Sequence, residues 1–405
     1  MAKVHIFNRV SGPSEAERAL TEWKIPFEKA EDGTITVPGD LRLNNMNLTA
    51  LPDLSKVIVK GNFICVNNYE LKSLKGAPQV VHGNYMCNSN GLTSLEYAPK
   101  EVGGDFICWA NKLTSLEHAP KKVGRNFCCD KNKLTSLEHA PETVPGTFNC
   151  QENQLTTLEH APHTVGAFNC SSNKLVSLEH GPSKITAGTY TGDYECSNNP
   201  FASLKGAPAH VPGKFICTGC KLTTLEGGPA QVDGDYYAYD NLLVNLKGAA
   251  AIVGKSFGVG RNKLASIEDG PKSVGEHYSC QENKLTSLKG APETVTEFGC
   301  EDNPLESLAH APKSCKGNFW CRNTGQKYLE GIPQDAGKIF SDFGTYDNWA
   351  AVPEHLRISP DTIARRERER VEEIQRIAES STVLGDSLTL KKGTLQIKGA
   401  VGTKR

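Results

Sequence analysis

Apolar positions along this chain recur in a fixed block, not in the long waves of amphipathic helices. Phe106 and Cys108 alternate with Asp105, Ile107 and Trp109, the period of two that predicts a short strand with one inward face. Asn111 follows where the backbone has to turn, then Leu113 and Leu116, three apart, and finally Pro120, Val123 and Gly124. Proline and glycine on this return path predict an irregular connection in place of a long helix. The block FxCxxNxL, TSLE and AP returns every twenty to twenty-two residues from Phe63 to Cys321. Such a period predicts a solenoid, in which each unit buries its apolar face only against its neighbours. Each repeat supplies one convincing strand between its prolines, which speaks against a parallel β-helix.

Fourteen cysteines first suggest a disulfide framework, but eleven of them fall in one slot of the repeat: 65, 87, 108, 129, 150, 170, 196, 217, 280, 300 and 321. Ala238 and Val259 occupy that slot in the other two of thirteen rungs, so it reads as a site for a small buried apolar group. Reduced packing cysteines are therefore expected, with neither disulfide nor metal. Cys217 and Cys220 form one isolated CxxC, with Cys220 standing in the asparagine slot. The other asparagines of that slot, 68, 90, 111, 132, 153, 173, 199, 241, 262, 283 and 303, are expected to form a column that satisfies backbone groups inside the stack.

The spacing resembles the leucine-rich repeats, whose pattern LxxLxLxxNxL places Phe106 and Cys108 in two leucine slots, Asn111 at the asparagine and Leu113 after it. The short rung with its proline is most similar to the bacterial subtype. The phrase GDFxCxxNxLTSLExAP resembles a group of leucine-rich-repeat proteins encoded by bacteriophages and some bacteria, and DGTITVPGDLRLNNMNLTALP resembles the opening of that group. The resemblance covers residues 32 to about 324. It implies an α/β-type solenoid dominated by short parallel strands, a curved array of about thirteen rungs. For function it implies little beyond binding, because this fold hosts many roles.

Four segments are expected: an N-terminal cap over 1–40, the repeat solenoid over 41–325, a C-terminal cap over 326–358, and a charged helix and tail over 359–405. SEAERALTEW, 14–23, reads as a short amphipathic helix before a strand near Thr34 to Val37. Phe340, Phe343, Tyr346 and Trp349 are expected to close the far end of the core. Ser359 and Pro360 make a helix start, with Ile363, Val371, Ile374 and Ile377 as a narrow apolar stripe running to about Ser380. A weak hairpin is expected after Gly385. Between Cys170 and Cys196 the rung swells to twenty-six residues, and the extra segment around Lys184 to Gly192 is expected to loop from the surface.

Formal charge is -1, with 45 basic and 46 acidic residues, which gives no overall pull toward nucleic acid or an acidic membrane. Apolar runs are too short to span a bilayer, and MAKVHIFNRVSG lacks the apolar core of a signal peptide, so a cytoplasmic protein is expected. The arginines of the C-terminal helix, 365, 366, 368, 370 and 376, are interleaved with Glu367, Glu369, Glu372 and Glu373, which favours a solvated face.

Candidate chemistry is sparse. HExxH and GxxxxGK[ST] do not occur, and the one GxSxG string, Gly254 to Gly258, falls on the ordinary glycine and phenylalanine positions of the repeat. His118, His139, His160 and His180 fall in one column, but Tyr97 and Gly206 fill the same slot, which predicts a solvated column and no metal. Asp193, Glu195 and Asp235 would be the acids of a glycan-cleaving enzyme, an alternative that isolated carboxylates on a repeat surface support poorly. The outward strand positions are more informative. Ile64, Met86, Ile107 and Trp109 form one apolar strip, Ile216, Tyr237 and Tyr239 a second patch, and Trp320 ends the row. Asn62, Asn84, Asn88, Asp105, Asn126 and Asp130 are expected to rim the first patch, and Lys214, Thr218 and Asp235 the second. Patches of this kind mark protein contacts or docking of the chain's own ends. The expectation is a non-enzymatic protein-binding scaffold without cofactor, phage-encoded, that binds and inhibits or redirects a host protein. A virion structural or receptor-contacting component is the alternative.

Overall fold

The computed structural model describes residues 12–186, 188–383, 388–391 and 394–397. Fifteen parallel strands follow one another in chain order, from Leu41–Arg42 through Phe106–Ile107 to Ile339–Ser341. The thirteen cysteine-slot rungs are thus extended by one at each end, where Leu43 and Ser341 take the cysteine position. A final strand, Gly344–Tyr346, turns back antiparallel on Ile339–Ser341.

The expectation of one strand per rung is corrected. A second, two-residue strand precedes the main one in most rungs, as in Lys122–Val123 before Phe127–Cys128, and pairs with its counterpart in the neighbouring rung. In Thr143–Asn149 and Thr164–Asn169 the two strands fuse into one. Elsewhere a corner separates them, and its geometry explains the glycine after valine: a Cβ on Gly124 would collide with the Gly103 carbonyl oxygen of the rung before. The short strand escaped the sequence reading because in most rungs only its inward residue, usually valine, is apolar.

Inside, Phe63, Tyr85, Phe106 and their successors to Phe319 form one aromatic column, with ring centroids 4.8 to 6.1 Å apart. The cysteine column and the leucines, such as Leu113 and Leu116, are buried beside it. At about 1.5–3 kcal/mol for each buried Val, Leu or Phe, a rung offsets its ordering entropy only as part of the stack.

The asparagine column ties the rungs together. Asn111 Nδ2 donates to the carbonyls of Cys87 and Cys108, both at 3.0 Å, while its Oδ1 accepts from the N–H groups of Asn90 and Leu92 at 3.2 and 3.1 Å. The carboxamide therefore spans two rungs and closes four backbone valences.

At the N-terminal end, helix Glu15–Glu22 is started by a Ser14–Glu17 capping box and covers the first rung with Ala16, Ala19 and Leu20. At the far end Leu329, Ile332, Val352 and Leu356 are buried, with Tyr346 and Trp349 against them. Phe340 and Phe343 do not close the core as expected: Phe340 faces outward against Trp320, and Phe343 is exposed at the hairpin tip. Ser359 Oγ accepts from the Thr362 N–H and starts helix Pro360–Val383. Leu388–Lys391 and Thr394–Ile397 pair antiparallel beyond it.

The insertion departs from expectation only in part: Gly188, Thr189 and Thr191 are exposed, as a surface loop requires. Lys184–Ile185 pairs with Thr164–Val165, and Tyr190 folds back with its ring against Gly146 and Gly166. Those glycines lie in the two fused strands, whose missing side chains leave a seat for an aromatic ring.

Candidate functional site: the outward face of the long sheet

Strand register sets the middle outward column as Arg42, Ile64, Met86, Ile107, Cys128, Asn149, Asn169, Glu195, Ile216, Tyr237, Gly258, Ser279, Gly299, Trp320 and Phe340. Ile64, Met86 and Ile107 are direct cross-strand neighbours, so their side chains make one apolar ridge with strands about 4.8 Å apart. All three are half-buried, as is Trp109 in the next outward column. Cys128 continues the ridge. Burial, with Asp130 and Asp105 nearby, pushes its thiol up to about 12, so it remains a neutral apolar group.

The second patch is built differently. Ile216 and Tyr237 are in register, and Tyr239 lies 5.6 Å from Tyr237. The Tyr239 ring reaches over Gly258 of the next rung, in space that any side chain there would occupy. Arg261 covers it at 5.6 Å while holding Asp240 through two bonds of 2.6 and 2.7 Å. Tyr239 is thereby locked in place. Trp320 is separate from both patches, four strands beyond Tyr237 or roughly 19 Å at sheet spacing. It stacks on Phe340 at 5.6 Å and lies 5.4 Å from His277. Phe340 and His277 were missed in the sequence, because Phe340 lies beyond the regular repeat and His277 replaces the usual Asp or Asn of its slot.

Most of the polar rim assigned from sequence is corrected. Asn62, Asn84, Asp105 and Asn126 form a second ladder, each presenting a side-chain oxygen to the N–H of the following rung at 2.8 to 3.0 Å. The glycine of the GD and GN phrases fits that ladder: a Cβ on Gly83 would lie 2.6 Å from Asn62 Oδ1. These groups hold rung to rung, and their acceptor oxygens face the backbone.

The acids are likewise engaged. Asp193 Oδ1 accepts from the Lys214 N–H at 2.8 Å, Asp235 pairs with the Lys214 ammonium at 3.1 Å, and Glu195 accepts from Asn169 Nδ2 at 2.9 Å. Burial and the Asp193 charge raise the Glu195 carboxyl above its ordinary range. No free pair of carboxylates stands at these three positions.

His118, His139, His160 and His180 all have positive φ, from 65 to 71°, as do Tyr97 and the glycines 206, 227, 248 and 290 in the same slot. The column is a left-handed turn at which glycine is the easy choice. His118 Nε2 lies 3.7 Å from its own neighbour Glu117. Among the described residues no cluster of three or more His, Cys, Asp or Glu is arranged to hold a metal ion, and no helix is long and apolar enough to cross a membrane.

A ladder-bound stack of short parallel strands with an asparagine column is a leucine-rich-repeat solenoid, and that is the fold of this chain. Among solved structures it is similar to YopM from Yersinia enterocolitica, at 17% identity over 82% of this chain and 78% of that one, with a TM-score of 0.51. A structure of YopM from Yersinia pestis, described as a leucine-rich effector protein, aligns at 16% identity over 75% of this chain and 77% of that one, with a TM-score of 0.39. No protein-family profile matches the sequence, and no curated protein matches it.

Proposed function

We propose that the chain is a non-enzymatic scaffold that binds a protein on the outward face of its long sheet, the side that solenoid curvature makes concave. The observation that carries this reading is the in-register ridge Ile64–Met86–Ile107 flanked by Trp109. These side chains are left over after the core and both ladders are satisfied. Ile216, Tyr237 and Tyr239 supply a second anchor, and Trp320 a third. Aromatic and aliphatic groups held on ladder-bonded strands lose little freedom on association, which favours affinity per contact.

The resemblance of the repeat phrase to phage-encoded proteins supports a phage origin and a host protein as the partner, met in the bacterial cytoplasm and inhibited or redirected there. Pull-down from bacterial lysate tests the reading. A stoichiometric partner is expected that is lost on Trp109→Ala or Tyr237→Ala, with unfolding midpoints of both variants near that of the parent. A partner retained by both variants would remove this face as the binding surface.

A further inference from the structure

The folded chain shields its thiols. All fourteen cysteines are free, and every one is buried except the half-buried Cys128. The register that sets Phe127 between Phe106 and Phe148 carries Cys108, Cys129 and Cys150 side by side in the stack, at a strand spacing of about 4.8 Å. Side chains in that slot run parallel, which aims no sulfur at its neighbour. Cys129, Cys150, Cys196, Cys280 and Cys300 instead donate the S–H to a main-chain carbonyl of the following rung, 3.4 to 3.5 Å away. Burial pushes the thiols of Cys65 and Cys321 up to about 12 and that of Cys108 well above its ordinary range. The thiolate is the reactive species, so the stack denies an oxidant both access and ionisation.

Sulfur is not required for the packing. Ala238 and Val259 fill the slot in two rungs and are buried as completely as the cysteines around them. Cysteine therefore brings a reactivity that exists only before the stack forms. In the unfolded chain every thiol meets solvent and returns to its ordinary range near about 8.5. Cys87, Cys108, Cys129 and Cys150 then lie twenty-one residues apart along a flexible chain. We propose that the column makes folding redox-gated: the chain reaches its native form only while its thiols are reduced, and once folded it withstands oxidised glutathione and related small disulfides.

The trapping step is ordinary exchange. A thiolate of the unfolded chain attacks one sulfur of oxidised glutathione and expels the other half as glutathione thiolate. A second chain thiolate attacks the chain sulfur of that mixed disulfide and expels the second half. Two chain thiols become one disulfide, one glutathione disulfide becomes two thiols, and the protons of the chain thiols end on the glutathione. The two cysteines need not be neighbours, because the entropic cost of closure grows only slowly with loop length. A pair two rungs apart, such as Cys108 and Cys150, needs Cα atoms within about 7 Å, whereas the stack holds them about 9.6 Å apart. Such a crosslink and the stack exclude each other. The column lies inside the solenoid, so this gate and partner binding on the outward face succeed or fail independently.

Cell-free synthesis of the full chain gives the test, run in reduced glutathione, in oxidised glutathione, and in reduced glutathione followed by a shift to oxidised. A trypsin-resistant solenoid, measured per chain synthesised, reports folding, and mass spectrometry after alkylation counts the free thiols. Chains made reduced and then shifted should keep both their resistance and their thirteen buried thiols, with Cys128 the one place for slow modification. Chains made in oxidised glutathione should lose the resistant form and carry disulfides between slots that are not adjacent. Equal folding in oxidised glutathione, crosslinks confined to adjacent rungs, or consumption of the buried thiols of folded chains on the shift would overturn the inference.

Discussion

The hydroxyl of Tyr194 lies 2.9 Å from the point a Cβ on Gly181 would occupy. Tyr236 stands in the same relation to Gly228 at 3.2 Å, and Tyr278 to Gly270 at 3.1 Å. Where the aromatic of the column is phenylalanine, as in Phe106, Phe127, Phe148, Phe168 and Phe215, the matching residue is Ala98, Ala119, Ala140, Ala161 and Ala207. Glycine before proline thus goes with tyrosine, and alanine with phenylalanine; Tyr85, beside Ala77, is the exception. One methyl group makes room for one hydroxyl. That hydroxyl is buried without a hydrogen-bond partner in Tyr85, Tyr194, Tyr236 and Tyr278.

Gly181→Ala should therefore destabilise the parent by about 1–3 kcal/mol through overpacking. In a Tyr194→Phe background the same change should be neutral or stabilising, because it recreates the alanine–phenylalanine combination of the other rungs and removes an unpaired hydroxyl. A double-mutant cycle from denaturant unfolding measures the coupling. Additive effects would show that the hydroxyl and the missing methyl do not share the space.

Cys220 breaks the asparagine column and gives a second test. Its Sγ points to the carbonyls of Cys196 and Thr218 at 3.3 and 3.5 Å, longer and weaker than the 3.0 Å bonds of a carboxamide. The Asn199 N–H faces this sulfur in the slot where the equivalent N–H groups of Asn68 and Asn90 bond an asparagine oxygen. Cys220→Asn should stabilise by about 1 kcal/mol, while Asn111→Ala, which strips four backbone groups of their partner, should cost about 2–3 kcal/mol or more. Unfolding midpoints of the two variants should move in opposite directions.

The parts legible in the sequence are those in which one residue type serves one slot. Phe106, Cys108, Asn111, Leu113 and Leu116 each have a counterpart in nearly every rung, so their inward direction follows from the repeat. The ladder of Asn62, Asn84, Asp105 and Asn126 was hidden for the opposite reason. Polar residues at outward strand positions look like a wet rim, and only the register shows each oxygen capping the next rung's N–H. Tyr190 was illegible too, since its seat consists of absent side chains one and two rungs away. Ile64, Met86 and Ile107 could be placed because strand alternation alone assigns them a face.

Backbone proximity at the corners yields a sharp contrast between neighbours. Gly124 faces the Gly103 carbonyl oxygen, and Gly103 in turn faces that of His82, so a methyl at 124 has only fixed main chain to displace. Gly124→Ala should cost about 3 kcal/mol, the upper part of the range for overpacking, because no flexible side chain can yield. Arg125→Ala beside it, losing a long 3.6 Å pairing whose arginine end is exposed and whose Asp105 keeps its bond to the Asn126 N–H, should cost no more than about 1 kcal/mol. Equal losses from the two substitutions, measured by thermal unfolding, would contradict the assigned corner.

Asp130 carries the clearest dependence on pH. Burial raises its carboxyl from 3.8 to about 6 against a backbone hydrogen bond and the Lys131 charge, which lower it, while Glu152 adds a smaller upward push. A folded-state value above the unfolded one means that the native protein binds the proton more tightly than the unfolded chain. Stability contributed by the neutral acid is thus complete below about 3.8 and is lost as pH rises through about 6. Asparagine keeps the shape and the carbonyl acceptor without a charge to desolvate. The unfolding midpoint of Asp130→Asn should accordingly pull ahead of the parent between pH 3.8 and about 6 and hold a constant lead above that. A lead that does not grow between pH 3.8 and about 6, or a variant less stable than the parent at neutral pH, would mean that the carboxylate is held by a favourable contact and that burial does not govern its titration.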